Sequence, residues 1–390
     1  MSHPDVAIAD LNQAVEAMLW PQLDDAHLTY EVIAPIIERL KQEPGIRAET
    51  LGHSYLGTPI QRLSVGQGPV VVLAWTQMHG DEPTATAAVL DWLRLLLTQP
   101  PASLPRDWQQ QLTLHVIPML NPDGAAQSTR QNAQGIDINR DALAQQSPEG
   151  RLLWQQVQAL QPTVAFNLHD QNPYYAVGDT DTPATIAFLA PAYHPKKHVD
   201  GARLQAKQLI ALMKDKLSYW LPQGIARYDD SYSQRSFGDA IAGTGASTIL
   251  IESGAHRDDP HRQVARRLNV IGLQLAIEAL LNGTHEQYSL ADYYGIPANT
   301  ADGFCDIKLC NVTIDDGQHS AYQADICLVK AASTQSLLID FVGDARTVHG
   351  FRDYDAQKLG LANLCALPRL GGDGQTLLKS LGLHSTNCNR

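Results

Sequence analysis

The sequence predicts an α/β fold: a mixed, largely parallel central sheet with helices on both faces, plus a small C-terminal all-β domain. Three observations predict it. Short runs at residues 70–74, 112–117, 163–168 and 247–251 are dominated by apolar residues on both faces, as strands covered on both sides require. Amphipathic helical stretches alternate with these runs, the pattern of a parallel sheet between helix layers. After Asn282-Gly283 the texture changes to short β-rich runs at residues 305–314, 324–329 and 336–342.

The elements follow in order. A chain of 390 residues suggests more than one domain. The opening, to about Lys41, reads as helical, with Ile33, Ile36, Ile37 and Leu40 at three- and four-residue intervals. Residues 1–29 are set apart as an N-terminal helical extension, and residues 30–285 as the catalytic domain. Within it, helices are predicted at about 83–97 and 260–281. Residues 302–390 form the β-rich domain, reached through the stretch 295–300, with Asp316-Gly317 placed as a hairpin turn.

Composition narrows the partners. A formal net charge of −12 argues against a nucleic-acid backbone, which needs basic surface. No run of 18 apolar residues offers a membrane span. The first twenty residues carry two Asp and no Lys or Arg, unlike a secretory signal, so a cytoplasmic protein is expected. Cys305, Cys310, Cys327, Cys365 and Cys388 lie in the last quarter without a CxxC pair. They are read as reduced, small hydrophobic side chains in β structure rather than a disulfide framework or a metal site. His256, Asp258, Asp259 and His261 resemble a metal cluster, but Asp258 and Asp259 before Pro260 read better as a helix N-cap.

The informative coincidence is positional. His79, the Asn121 turn, His169 and Glu252 each follow a predicted parallel strand directly or within a few residues. Ligands of open α/β sheets bind at the carboxyl ends of strands, where distant residues meet. Of 14 histidines, His79 alone has a Glu three positions later. His79 and Glu82, on a turn entering a helix, can converge on one ion, and His169 from another strand end completes three ligands with one position open to water. That is the arrangement of a catalytic Zn2+ site.

With Asn121-Pro-Asp-Gly124, Arg130 and Gly135-Ile-Asp-Ile-Asn-Arg140 added, the chain resembles the zinc carboxypeptidases, the metallocarboxypeptidase A-like (M14-type) family, over roughly residues 30–281. The resemblance implies that His79, Glu82 and His169 bind zinc and that Asp137 orients a zinc-bound imidazole. It implies that Asn139 and Arg140 hold the substrate's terminal carboxylate and that Arg130 stabilises the oxyanion. Glu252 is implied as the general base, taking a proton from the zinc-bound water and passing it to the leaving nitrogen. A tyrosine that closes over the substrate is implied about twenty residues before Glu252. Tyr228 and Tyr232 both qualify, and Tyr232 is preferred because Ser236-Phe-Gly-Asp239 then falls at the specificity segment.

The expected activity is zinc-dependent hydrolysis of an amide next to a free carboxylate. The alternatives are a zinc deacylase of N-acyl acidic amino acids and a non-catalytic binding protein on the same fold. The partner is then a peptide or an N-acyl amino acid. Phe237 fits an apolar preference and Arg235 an acidic one, such as a γ-linked glutamate or a cell-wall peptide. The C-terminal domain is assigned a structural or dimerising role, which leaves the oligomeric state open.

Overall fold

A computed structural model describes residues 4–331 and 336–383. The chain divides into two compact units, Met1–Asn172 with Ala184–Asn299, and Pro173–Pro183 with Thr300–Arg390. No helix among the described residues is long and apolar enough to cross a membrane.

In the larger unit the strands are β1 (Ile46–His53), β2 (Pro59–Gly66), β3 (Val70–Thr76), β4 (Leu112–Ile117), β5 (Val164–Asp170), β6 (Ile186–Leu189), β7 (Ile225–Arg227) and β8 (Ser247–Ser253). They form one sheet in the order β1-β2-β4-β3-β5-β8-β6-β7. The four central strands, β4, β3, β5 and β8, run parallel. Antiparallel partners flank them: β2 on β4, β1 on β2, and β6 on β8. The sheet is therefore mixed and parallel at its centre, as the apolar runs predicted.

The main helices are α1 (Pro4–Met18), α2 (Tyr30–Leu40), α3 (Thr84–Thr98), α4 (Pro122–Gln127), α5 (Pro148–Leu160), α6 (Gly201–Leu217), α7 (Phe237–Ala242) and α8 (Gln263–Asn282). Strand alternation divides the core between the two faces. Val72 and Ala74 of β3 join the core built with α3, α6 and α8. Leu73 and Trp75 join the one built with α5 and α7. All four side chains are fully buried, and each large one contributes about 1.5–3 kcal/mol by leaving water. The α8 start matches the cap reading in part. Asp259 accepts the N–H groups of Gln263 (2.8 Å) and Val264 (2.7 Å), although Pro260 lies outside the helix.

The N-terminal helical segment packs on the larger unit. Val15, Trp20, Leu23 and Leu28 are buried in the main core. Trp20 N–H donates to Asp91 Oδ1 at 2.8 Å, and Arg266 of α8 bonds both Asp91 oxygens at 2.7 and 2.9 Å and the Trp20 carbonyl at 2.9 Å. A helix whose apolar face covers α3 and α8 has to fold with them.

The smaller unit holds β9 (Phe304–Ile314), β10 (Tyr322–Lys330), β11 (Leu337–Gly343) and β12 (His349–Asp355) in the order β11-β10-β9-β12. Its core is Leu309, Val312, Ile314, Ile326 and Leu328 with Leu377 and Leu378. The β9–β10 connection turns at Asp316-Gly317, where Gly317 has φ +71°. The unit also takes in Pro173–Pro183 from the middle of the chain, which the sequence reading placed in the catalytic domain. Phe304 N–H donates to the Tyr174 carbonyl at 3.0 Å, and Tyr174 hydroxyl to Asp306. Cys305 and Cys327 are buried, Cys310 is half-buried, Cys365 is exposed, and all four are free thiols. Cys388 lies outside the described residues.

Candidate active site

Strand pairing brings the site's parts together. β3 ends at Thr76, whose carbonyl accepts from Leu120 N–H at 3.1 Å, and the Gln77 carbonyl accepts from Asn121 N–H at 3.1 Å. The turns after β3 and β4 are thereby zipped side by side. Asn121 caps α4 through Gly124 N–H (2.9 Å) and donates its amide to the Met78 carbonyl at 3.2 Å, one residue before His79. The two turns touch through glycines. A Cβ on Gly80 would stand 2.0 Å from the Gly124 carbonyl carbon, a contact only glycine permits. Here lies the physical content of the Asn-Pro-Asp-Gly segment: it carries no chemistry itself and braces the turn that presents His79.

His79, Glu82 and His169 are all buried, and their donor atoms lie within 4.8 Å of one another. His79 Nδ1 is 2.7 Å from Glu82 Oε1, and His169 Nδ1 is 2.7 Å from Glu82 Oε2. Pairing of β5 with β8 sets His169 opposite Glu252, so both side chains stand at adjacent parallel strand ends. Asp137 links the ligands to Arg130. Its Oδ1 is 3.1 Å from His79 Nε2 and its Oδ2 accepts from Arg130 Nε at 3.0 Å. Arg130 Nη1 reaches to 3.4 Å from Glu82 Oε1.

The electrostatics follow from burial and company. Burial opposes the ionised form of Glu82, yet the adjoining His79 and His169 hold its carboxyl well below the ordinary range. Burial likewise opposes charge on His79, but Glu82 and Asp137 outweigh it and raise its pKa, whereas His169 is lowered by burial. Burial, then the charges of Glu82 and Asp170, push Glu252 well above the usual carboxylate range. Its Oε2 is buried with no hydrogen-bond partner among the described residues.

This donor set fits a divalent metal. With its proton on Nε2 toward the Asp137 carboxylate, neutral His79 would present its Nδ1 lone pair to Glu82 and to Arg130 Nη1, 3.1 Å away. Acceptor atoms at such separations repel unless a proton or a cation lies among them. Two imidazoles and one carboxylate suit zinc.

The other expected residues are placed as follows. Asn139 is buried, and its Oδ1 accepts from Phe237 N–H (3.0 Å) and Ser236 Oγ (3.2 Å), fixing the start of α7. Arg140 is exposed and donates from Nη1 to the Asn139 carbonyl at 2.7 Å. Tyr232 is half-buried on the loop before α7 and forms no hydrogen bond among the described residues, while Tyr228 N–H donates to the Phe188 carbonyl at 2.8 Å. Neither Arg140 nor Tyr232 bonds to the ligand cluster.

Sequence reasoning missed Asp170, Arg262 and Gln77. The Asp170 carboxyl is enclosed beside Glu82, accepts from Thr84 Oγ1 at 2.7 Å, and is pushed up to about 6, first by burial. Arg262 donates to the Ser253 carbonyl at 2.6 Å and stands 3.7 Å from Asp170. The signal for Asp170 was its place directly after His169. Asp239, at the start of α7, is also a buried carboxyl, pushed up to about 7 by that burial.

Residues 33–180 match the family described as zinc carboxypeptidase. This segment includes His79, Glu82, Arg130, Asp137, Asn139, Arg140 and His169, and stops before Tyr232 and Glu252. Murein peptide amidase A of Escherichia coli (strain K12) is 32% identical over 126 residues, covering 32% of this chain and 46% of that protein. Carboxypeptidase SOL1 of Arabidopsis thaliana is 26% identical over 180 residues, covering 38% of this chain and 36% of that protein. The matched stretches thus span between a third and a half of these relatives. In fold, the chain is similar to a metallo-carboxypeptidase from Burkholderia cenocepacia, with a TM-score of 0.53 at 18% identity over 66% of this chain and 70% of that one. Residues 33–180 are thus similar to the zinc carboxypeptidase family, and the parallel sheet that brings their strand ends together has the fold of a metallo-carboxypeptidase.

Proposed function

We propose that the protein is a zinc-dependent hydrolase of an amide bond next to a free carboxylate, acting as a carboxypeptidase or on a peptide of that class. The observation that carries the reading is the convergence of His79 Nδ1, Glu82 and His169 Nδ1 beside Glu252, with Arg130 at the edge of the cluster. Zinc held by these three residues supplies Lewis acidity and makes water acidic enough to ionise near neutral pH.

The chain's own residues do the rest. Glu252 takes the proton of the attacking water and delivers it to the leaving nitrogen, a transfer suited to a carboxyl whose pKa is raised. Arg130 stabilises the charge that develops on the scissile carbonyl oxygen. Asp137 serves two groups at once, aligning Arg130 through Nε and fixing the His79 tautomer through Nε2. Arg140, steadied by its bond to the Asn139 carbonyl, receives the substrate carboxylate together with Asn139. Tyr232 closes over the bound substrate from its loop. Similarity to murein peptide amidase A supports a peptide substrate, and the exposed Arg235 supports an acidic group on it.

The test is metal analysis joined to a substrate panel. Release of a C-terminal amino acid, with zinc at one equivalent, is expected. Hydrolysis confined to N-acyl acidic amino acids would make the protein a deacylase, and a purified protein without metal or amide hydrolysis would remove the reading altogether.

A further inference from the structure

We propose that Gln77 is the positioning residue of the metal turn: its side-chain amide sets the placement of His79 relative to Glu82. The proposal rests on the metal reading given above. It also brings in the N-terminal segment, which lies outside the matched family region.

The backbone is the first sign. Gln77 has φ +48°, a left-handed conformation that glycine takes freely, Asn and Asp take at times, and glutamine rarely takes. Such a conformation persists where the surroundings over-determine it, and these sites gather around function. Gln77 stands two residues before His79 and is fully buried.

The side chain supplies the over-determination. Its Nε2 donates to the Gly80 carbonyl at 2.9 Å, closing a ring around His79, and to the Leu28 carbonyl at 2.9 Å. Its Oε1 accepts from Thr86 Oγ1 at 2.7 Å. Thr86 lies in the first turn of α3, the helix that Glu82 leads into. One amide therefore grips the turn that bears His79, the helix beside Glu82 and the N-terminal segment at Leu28. With both amide protons used and the backbone carbonyl taken by Asn121, Gln77 has no freedom to follow a shifted turn. A metal centre tolerates donor displacements of only about 0.2 Å, so a residue that ties two ligand-bearing pieces together acts directly on affinity.

The experiment measures zinc affinity by chelator competition on the full chain, with the thermal midpoint of the metal-free protein recorded beside it. Gln77→Gly relieves the backbone and removes all three side-chain bonds. It is expected to bind zinc on the order of 10- to 100-fold more weakly, the usual effect of losing support around a ligand. Thr86→Val removes one bond at nearly constant volume and is expected to weaken binding by a smaller factor. A merely structural role would lower the metal-free midpoint and leave zinc affinity as in the wild type. That result in both variants overturns the proposal, and it does so in Thr86→Val alone if Gln77→Gly does not fold. A wild-type chain that binds no zinc overturns the metal reading and this proposal together.

Discussion

Glu252 sits between opposing charges: burial, Glu82 and Asp170 raise its pKa, while Arg130 and Arg262 lower it. A base must be ionised to act, so kcat/KM should rise with pH as Glu252 loses its proton. A dication at the cluster draws that limb toward lower pH. Glu252→Gln should keep its zinc, lose on the order of 10² to 10⁴ in kcat, and lose the acid limb of the profile. An unchanged limb in the residual activity would assign it to another group. Arg130→Ala should lower kcat about 10²- to 10³-fold, as for a missing oxyanion donor, with KM nearly unmoved in steady-state kinetics. At this scale the sequence was informative where chemistry depends on residue type and strand-end position, as with His79, Glu82, His169 and Glu252. It was silent on Gln77, because a polar residue after an apolar run says nothing of its φ. It was also silent on the neighbours of Glu252, because Asp170 and Arg262 meet it only through folding.

At the scale of elements, the buried pair Asp91 and Arg266 joins α3 to α8 and both to Trp20. Its side chains are 0% and 1% exposed, so the charge left by removing one partner has no water to turn to. Arg266→Met should destabilise the chain by about 3–5 kcal/mol in urea unfolding, and replacing Asp91 by an apolar residue as well should restore much of the loss. The pair also shows why the packing of the N-terminal segment was not legible: helical spacing shows an apolar face but not what that face covers. Long central strands were legible because apolar residues dominate both of their faces. β6 and β7 escaped, being four and three residues long, too short for a pattern to emerge.

At the scale of the whole molecule, a metal that binds only the folded chain raises its stability by mass action, about 2.7 kcal/mol at a hundredfold excess over Kd. Stripping zinc with a chelator should therefore lower the thermal midpoint, and added zinc should restore it; a midpoint indifferent to chelator would count against a site with native ligands. The raised pKa of Glu252 adds a pH dependence to the stripped protein. A carboxyl that is harder to ionise when folded contributes stability at low pH that is lost as pH rises through its folded value, so the midpoint should fall over that range. Ending the chain at Asn299 removes the strands with which Pro173–Pro183 folds. Limited proteolysis should then nick this segment and amide hydrolysis should decline. Full activity and full resistance would show the smaller unit to be dispensable. The segment's allegiance was illegible in the sequence because it depends on partners more than a hundred residues away.

That allegiance has a consequence in time. Pro173–Pro183 leaves the larger unit just after His169, and the chain returns beside Glu252, where Gly254 N–H donates to the Thr185 carbonyl at 2.8 Å. On the ribosome this segment emerges well before Thr300, and at roughly 5–20 residues per second it waits on the order of ten seconds for its partners. Throughout that interval the segment is made but lacks the strands it folds with, and these arrive only with the last quarter of the chain.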